Sequence, residues 1–258
     1  MQIEAAHRRA RFPRGLAQPE GGFRFGADTL LLSAFAHAHL KPGHALTGLD
    51  LGTGCGAASI GLLLLRPDAP LRLTGIDTGP EMIAAAQQNA EALDLSERFT
   101  PLLADAQDYS APNAKVDFAL ANPPFRAPGT GKACPDNNKH RARFEGPGGF
   151  AAFAACASRN LRKGGHLFLV HLAERLPELI CALDAAGLNT RRLLPVQGSW
   201  DKPPRLALVL AVRGQGHGLT LDCPLALYTP QGKLTAEAIA FCPHLAANPS
   251  RNASGASP

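Results

Sequence analysis

Short apolar runs alternate with longer helical patterns from about residue 45 to residue 187, and this alternation constrains the fold more than any other feature of the chain. ALTGLDL is followed by the helix-like AASIGLLLL, and LRLTGID by PEMIAAAQQNAEALDL, whose proline suits the first turn of a helix. FTPLLAD and KVDFALA supply a third and a fourth strand. GHLFLVH supplies a fifth after the glycine turn at Gly164 and Gly165, with the helix LPELICALDAAG behind it. Strands joined through helices pair in parallel, whereas TRRLLPV and RLALVLAVR, separated by QGSWDKPP alone, should pair antiparallel. The pattern predicts an α/β fold with a seven-stranded, mostly parallel sheet that ends in an antiparallel hairpin.

Two segments fall outside the alternation. Residues Arg126 to Gly149 form a long loop rich in Gly, Pro, Lys and Arg, and the tail AANPSRNASGASP is of low complexity. The expected organisation is a flexible basic arm over 1–17, one domain over 18–245 and a disordered tail over 246–258. No apolar run reaches the roughly 18 residues of a membrane span. The N-terminus MQIEAAHRRARFPRG lacks an apolar stretch of signal-peptide type, which points to the cytoplasm. The 6 cysteines form no C-x-x-C pair and no cluster with histidine at zinc spacing, so reduced thiols and no metal are expected.

LDLGTGCGAAS sets Gly52, Gly54 and Gly56 between a strand and a helix, where a nucleotide-containing cofactor can approach the backbone. Gly52-x-Gly54-x-x-Ala57 loosely satisfies the dinucleotide fingerprint, with Asp77 where a ribose-binding acid would stand, so a nicotinamide-dependent dehydrogenase is one reading. Asp50 opposes it, because a carboxylate two residues ahead of the first glycine repels a pyrophosphate. A cofactor carrying an ammonium and a sulfonium, such as S-adenosylmethionine, would instead be drawn to that acid. Asp77 would then hold the ribose hydroxyls, and Asp105 with the Ala106 N–H would hold the adenine. Acids closing three successive strands point into one crevice at the carboxyl ends of the sheet.

The fourth strand ends at the same crevice with Asn122-Pro123-Pro124-Phe125. An exocyclic or amide nitrogen is a poor nucleophile because its lone pair is delocalised. Two acceptors on its hydrogens, Asn122 Oδ1 and the Pro123 carbonyl, would turn that lone pair toward an electrophilic methyl and stabilise the charge that develops. The prolines hold the carbonyl rigidly, and Phe125 offers a face for a flat substrate.

With these residues the chain resembles the class I S-adenosylmethionine-dependent methyltransferases of Rossmann-like fold that carry the N-P-P-[YF] motif. Among them it is similar to the bacterial tRNA(Val) adenine-N6-methyltransferases, which act on the adenosine just 3′ of the anticodon. The likeness runs from about Gln18 to Ala240 through QPEGGFRFGADTLLLSAF, LDLGTGCGAASIGLLL, GIDTGPEMIAAAQQNAEAL, LLADAQD, FALANPPF, RARFE and LALYTPQGKLTAEA. It implies that Phe25, Gly26 and Asp28 fold over the methionine end of the cofactor. It also implies that Asp50, Gly52, Thr53, Gly54, Gly56, Asp77, Asp105, Ala106 and Asn122 occupy cofactor positions. Phe125 departs from the tyrosine usual in adenine-specific members. N-P-P-F is also typical of guanine-N2-methyltransferases acting on ribosomal RNA, and N-P-P-Y serves enzymes that methylate glutamine in release factors. A non-catalytic RNA-binding module that keeps the fold is the reading outside enzymes.

RNA suits the formal charge of +5 and the pI near 9.0. Arg126, Lys139, Arg141 and Arg143 in the long loop, together with Trp200, Lys202 and Arg205 in the hairpin, are the expected substrate contacts.

Overall fold

The computed structural model describes residues 2–20, 24–112, 114–125, 149–214, 216 and 218–247. Helices α1 (Gln2–Arg11) and α2 (Ala27–His39) precede β1 (Leu46–Leu51). There follow α3 (Ala57–Leu65), β2 (Leu71–Asp77), α4 (Pro80–Ala92), β3 (Phe99–Leu103) and β4 (Val116–Ala121). After the long loop come α5 (Gly149–Asn160), β5 (Leu161–Leu172), α6 (Leu176–Ala185), β6 (Leu188–Gln197) and β7 (Leu206–Arg213). Two short strands, β8 (Thr220–Leu221) and β9 (Leu225–Ala226), and a last helix α7 (Ala236–Phe241) complete the described chain.

The sheet order is β3-β2-β1-β4-β5-β7-β6-β8, with β9 beside β6. Strands β1 to β5 are mutually parallel, and β7 lies antiparallel between β5 and β6. The expected seven-stranded sheet with its antiparallel hairpin is therefore present. It is extended by two two-residue strands whose brevity left no periodicity to read.

Strand alternation sorts the core into two layers. Phe118 and Leu120 of β4, with Phe168 and Val170 of β5, face the fully buried Leu30, Leu31 and Phe35 of α2 and Ile60, Leu62 and Leu63 of α3. Ala119 and Ala121, with Leu167 and Leu169, face the other way onto Ala154 and Ala157 of α5 and Leu179 and Leu183 of α6. Gly48 of β1 leaves space for this packing, since a Cβ there would meet Phe118 Cζ at 2.3 Å.

The N-terminal segment differs from the flexible arm expected over 1–17. Residues Gln2–Arg11 are helical, Arg9 Nε donates to the Leu93 carbonyl at 2.6 Å, and Arg9 also pairs with Asp94. Phe12 is 2% exposed and packs edge-on against His244 at 4.7 Å between ring centres. Phe12 is a single aromatic anchor among Arg8, Arg9, Arg11 and Arg14, and the charge of that window hides it. Arg14 Nε donates to the Ala247 carbonyl, so the two ends of the described chain meet. The expected disordered tail begins inside a short 3₁₀ helix, Pro243–Ala247, and its residues from 248 onward lie outside the described residues. Helix α5 had no counterpart among the expected elements, and β5 starts at Leu161, ahead of the glycine turn at 164 and 165. Among the described residues no helix is long and apolar enough to cross a membrane, and no group of three or more His, Cys, Asp or Glu could hold a metal.

Truncating Phe12 to Ala empties a buried aromatic site and should cost about 3 kcal/mol of unfolding free energy. Chemical denaturation measures the loss, and hydrogen exchange should show α1 losing protection first.

Candidate active site

The carboxyl ends of β1, β2, β3 and β4 bring Asp50, Asp77, Asp105 and Asn122 to one edge of the sheet. The glycine turn after β1 is strongly curved: Gly52, Gly54 and Gly56 have φ of 68°, 56° and 83°, a region in which any other residue is strained. A Cβ on Gly54 would meet nothing within 4 Å, so the backbone lies open to a ligand there. Phe153 of α5 backs Gly52, with its ring carbon 3.3 Å from where a Cβ would lie.

Asp50 was expected beside the cofactor's ammonium, but its carboxylate is turned to the protein. It is 2% exposed, and its Oδ2 accepts from Thr53 Oγ1 and Ser59 Oγ, both at 2.7 Å. One buried oxygen thereby joins the end of β1, the glycine turn and the first helical turn of α3. Burial pushes its pKa up from 3.8 to about 6 against the pull of the two hydroxyls. Thr53 was expected at the ligand and is itself buried, with its N–H on the Ile76 carbonyl.

Asp77 is half-buried. Its Oδ2 accepts the Gly54 N–H at 2.9 Å and its Oδ1 the Gly79 N–H at 2.8 Å. Burial raises its pKa while these amides oppose the rise. Each oxygen keeps a second lone pair for a ribose hydroxyl. The same contacts decide against the dinucleotide reading, because the Gly54 N–H that would cradle a phosphate is already taken by a carboxylate. The remaining lone pairs of Asp77 suit the hydroxyls of a nucleoside cofactor, and the turn offers no free Gly54 amide to a phosphate. Asp105 is exposed at the end of β3 and caps its own turn by accepting the Gln107 N–H at 2.8 Å, with half-buried Ala106 beside it.

One residue without a sequence motif, Asn89, supports this half of the site. Asn89 of α4 donates to the Cys55 and Ala17 carbonyls and accepts the Ala17 N–H, tying α4 to the glycine turn and to the segment ahead of α2. A polar residue in line with the apolar Met82, Ile83 and Ala86 was the available signal. Cys55, inside the glycine turn, is 4% exposed with its thiol pushed up to about 12 by burial, and it packs with Ala57, Ala85 and the half-buried Phe25.

Asn122 is the junction of the other half. Its Nδ2 donates to Thr29 Oγ1 at 2.8 Å and to Asp28 Oδ2 at 3.1 Å. Asp28, expected over the methionine end of the cofactor, is thus engaged with Asn122. Gly26 forms the N-cap of α2, where a Cβ would lie 2.6 Å from Asp28 Oδ1. Both amide hydrogens of Asn122 are spent on protein acceptors, so Oδ1 is the atom left to the crevice. Among the described residues nothing donates to it or to the Pro123 carbonyl. Pro123 is buried and Pro124 and Phe125 half-buried. Phe125 lies edge-on to His171 at 5.4 Å between ring centres, and its carbonyl accepts from Arg175 Nη1 at 3.3 Å. Arg175, at the end of β5, had no motif to announce it.

Trp200, Lys202 and Arg205 lie in the β6–β7 hairpin at the same carboxyl edge, and Trp200 is 60% exposed. The Ala173 N–H on the Arg205 carbonyl ties the hairpin to the end of β5. Arg126, Lys139, Arg141 and Arg143 lie outside the described residues.

A mostly parallel sheet with acids at three strand ends, a glycine turn and Asn-Pro-Pro-Phe closing a fourth strand define a class I S-adenosylmethionine-dependent methyltransferase. Residues 43–202 match the family model described as a methyltransferase domain. A tRNA1(Val) (adenine(37)-N6)-methyltransferase of Porphyromonas gingivalis W83 is 30% identical over 189 residues, covering 72% of each chain. A release factor glutamine methyltransferase of Cereibacter sphaeroides is 35% identical over 156 residues, 58% of this chain and 55% of that protein's length. In fold the chain is similar to a predicted O-methyltransferase of Agrobacterium tumefaciens, with a TM-score of 0.66 at 20% identity, over 84% of this chain and 96% of that one. The chain belongs to the S-adenosylmethionine-dependent methyltransferase family, and S-adenosylmethionine is its methyl donor.

If Asp77 holds the ribose, Asp77→Ala should weaken S-adenosylmethionine binding by at least about 10-fold in a calorimetric titration, since both of its free acceptor positions are lost. For Asp50 the native state takes up a proton that the unfolded chain does not. Its contribution is most favourable below about pH 4 and is lost as the pH rises through about 6, on the order of 3 kcal/mol in all. Unfolding free energies of Asp50→Asn should lack that part of the slope between pH 4 and pH 6.

Proposed function

We propose that the protein transfers a methyl group from S-adenosylmethionine to the exocyclic N6 of an adenine in tRNA, the adenosine 3′ of the anticodon being the favoured target. The observation that carries this reading is the fixed amide of Asn122, whose NH₂ is committed to Asp28 and Thr29, which leaves Oδ1 as its free acceptor in the residue next to Pro123. Bound S-adenosylmethionine supplies an electrophilic methyl on a sulfonium. Asn122 Oδ1 and the Pro123 oxygen accept the two hydrogens of the target amine. This aligns the nitrogen lone pair and lowers the energy of the positive charge that grows on nitrogen, so no strong general base is needed. Phe125 supplies a stacking face, anchored at its backbone by Arg175.

Asp77 holds the ribose in this reading, Asp105 and Ala106 hold the adenine, and Phe25 and Gly26 cover the amino-acid end. Exposed Trp200 with Lys202 and Arg205 at the same edge favours RNA: an indole stacks an unpaired base and two cations meet phosphates. Relatives named for tRNA1(Val) adenine-37 support it, two of them matched over 72% of both chains. A glutamine amide in a release factor presents the same NH₂ geometry, and relatives so named make it the second reading. Guanine N2 fits the phenylalanine of the motif.

Incubation with labelled S-adenosylmethionine and total RNA from a strain lacking the gene, followed by digestion to nucleosides, should place the label in N6-methyladenosine. Label only in N2-methylguanosine, or only in a release factor supplied in parallel, would replace the adenine assignment. Asn122→Ala should reduce turnover by at least about 100-fold while leaving cofactor binding nearly intact. A variant that still transfers methyl at the wild-type rate would make Asn122 dispensable.

A further inference from the structure

The segment ahead of β1 does more than cover the cofactor. We propose that Asp28 and Thr29, at the start of α2, are positioning residues that set the orientation and polarity of the Asn122 amide. This inference rests on the N-methyl transfer assigned above.

An asparagine amide can be turned about its last bond to exchange oxygen for nitrogen, and only one of the two orientations can accept hydrogens from a substrate amine. Nothing within N-P-P-F selects between them. Across the crevice, Asp28 Oδ2 lies 3.1 Å and Thr29 Oγ1 2.8 Å from Asn122 Nδ2. A carboxylate in its ionised form accepts and cannot donate, and in that form it holds the NH₂ of Asn122 toward itself, as the Nδ2 contacts show. Turning the amide over would set its oxygen against the carboxylate and its hydrogens toward the substrate's own.

The start of α2 surrounds that carboxylate with donors that favour its ionised form against burial. Burial raises the pKa of Asp28, and its partners oppose the rise: Asn122 and the backbone N–H groups of Thr29, Asp28 and Gly26. None of these partners titrates, and the crevice acids Asp50 and Asp77 have their own donors. The N-terminus of α2, a helix of 13 residues, adds its own partial positive charge. The arrangement has a second effect on the reaction. A negative charge bonded to the NH₂ end of the amide pushes electron density toward Oδ1, the acceptor for the hydrogens of a nitrogen that becomes positive. Asp28 thus acts on the substrate through Asn122 without touching it.

The test uses Asp28→Asn, which keeps an acceptor of the same shape and removes the charge, and Thr29→Val, which removes the second acceptor isosterically. Asp28→Asn should lower kcat by at least about 10-fold with the Kd for S-adenosylmethionine within about 2-fold of wild type. The double variant should approach the rate of Asn122→Ala. A structural readout is independent of the substrate. In the full-length protein the Asn122 side-chain NH₂ resonances should shift with the protonation of Asp28 as the pH is lowered, and should cease to do so in Asp28→Asn. Wild-type kcat in Asp28→Asn, a 10-fold loss of cofactor affinity in that variant, or NH₂ resonances that do not follow Asp28 would each overturn the proposal. A wild-type protein that methylates no RNA and no release factor while its Asn122 resonances still follow Asp28 would overturn the reaction assigned above and leave the positioning contact in place.

Discussion

The carboxylate of Asp50 carries the architecture of the cofactor crevice. A strand, a tight turn and a helix have to meet at fixed angles there, and one buried oxygen accepting from Thr53 and Ser59 sets their junction. Burying that charge is costly, which is why Oδ2 takes two hydroxyl donors and why the proton affinity of the group rises. With the junction rigid, the next acid, Asp77, can bond the Gly54 and Gly79 amides, and the crevice acquires its shape from backbone groups. The electrostatic consequence is an anionic rim, suited to a cationic cofactor and hostile to a phosphate.

The parallel sheet and the edge on which its ligands bind were legible because they depend on periodicity, and βαβ units of this length leave a strong period. Asp77, Asp105 and Asn122 were legible as strand-end residues for the same reason. The role of Asp50 was not, since the sequence shows an acid near a glycine turn and cannot show which way its side chain faces. Ser59 and Asn89 look like ordinary helix residues until the helix is docked. Arg175 and Thr29 reach the N-P-P-F segment across 50 and 93 residues of chain, a separation over which no local pattern carries information. The N-terminal helix was misread because one buried phenylalanine outweighs several solvated arginines in free energy, although it is outnumbered in composition.

The crevice is assembled from two supports with different mechanical origins. The cofactor side is built on backbone amides and buried acids between β1 and β2, deep in the sheet. The acceptor side is one asparagine held from across the crevice by α2, and α2 is in turn packed by Phe12 from the N-terminal segment and by Cys242, whose Sγ lies 3.4 Å from the Leu30 carbonyl. Distant parts of the chain therefore bear on the acceptor through a single helix.

That dependence ties position 28 to position 26. The carboxylate of Asp28 leans back over Gly26 so closely that a methyl group on residue 26 would lie 2.6 Å from its Oδ1 and push it aside. A lineage that acquires a side chain at 26 must shorten or displace the one at 28, and with it release the amide of Asn122. The constraint runs one way: residue 28 can change while position 26 stays glycine, whereas a side chain at 26 has to move the carboxylate at 28.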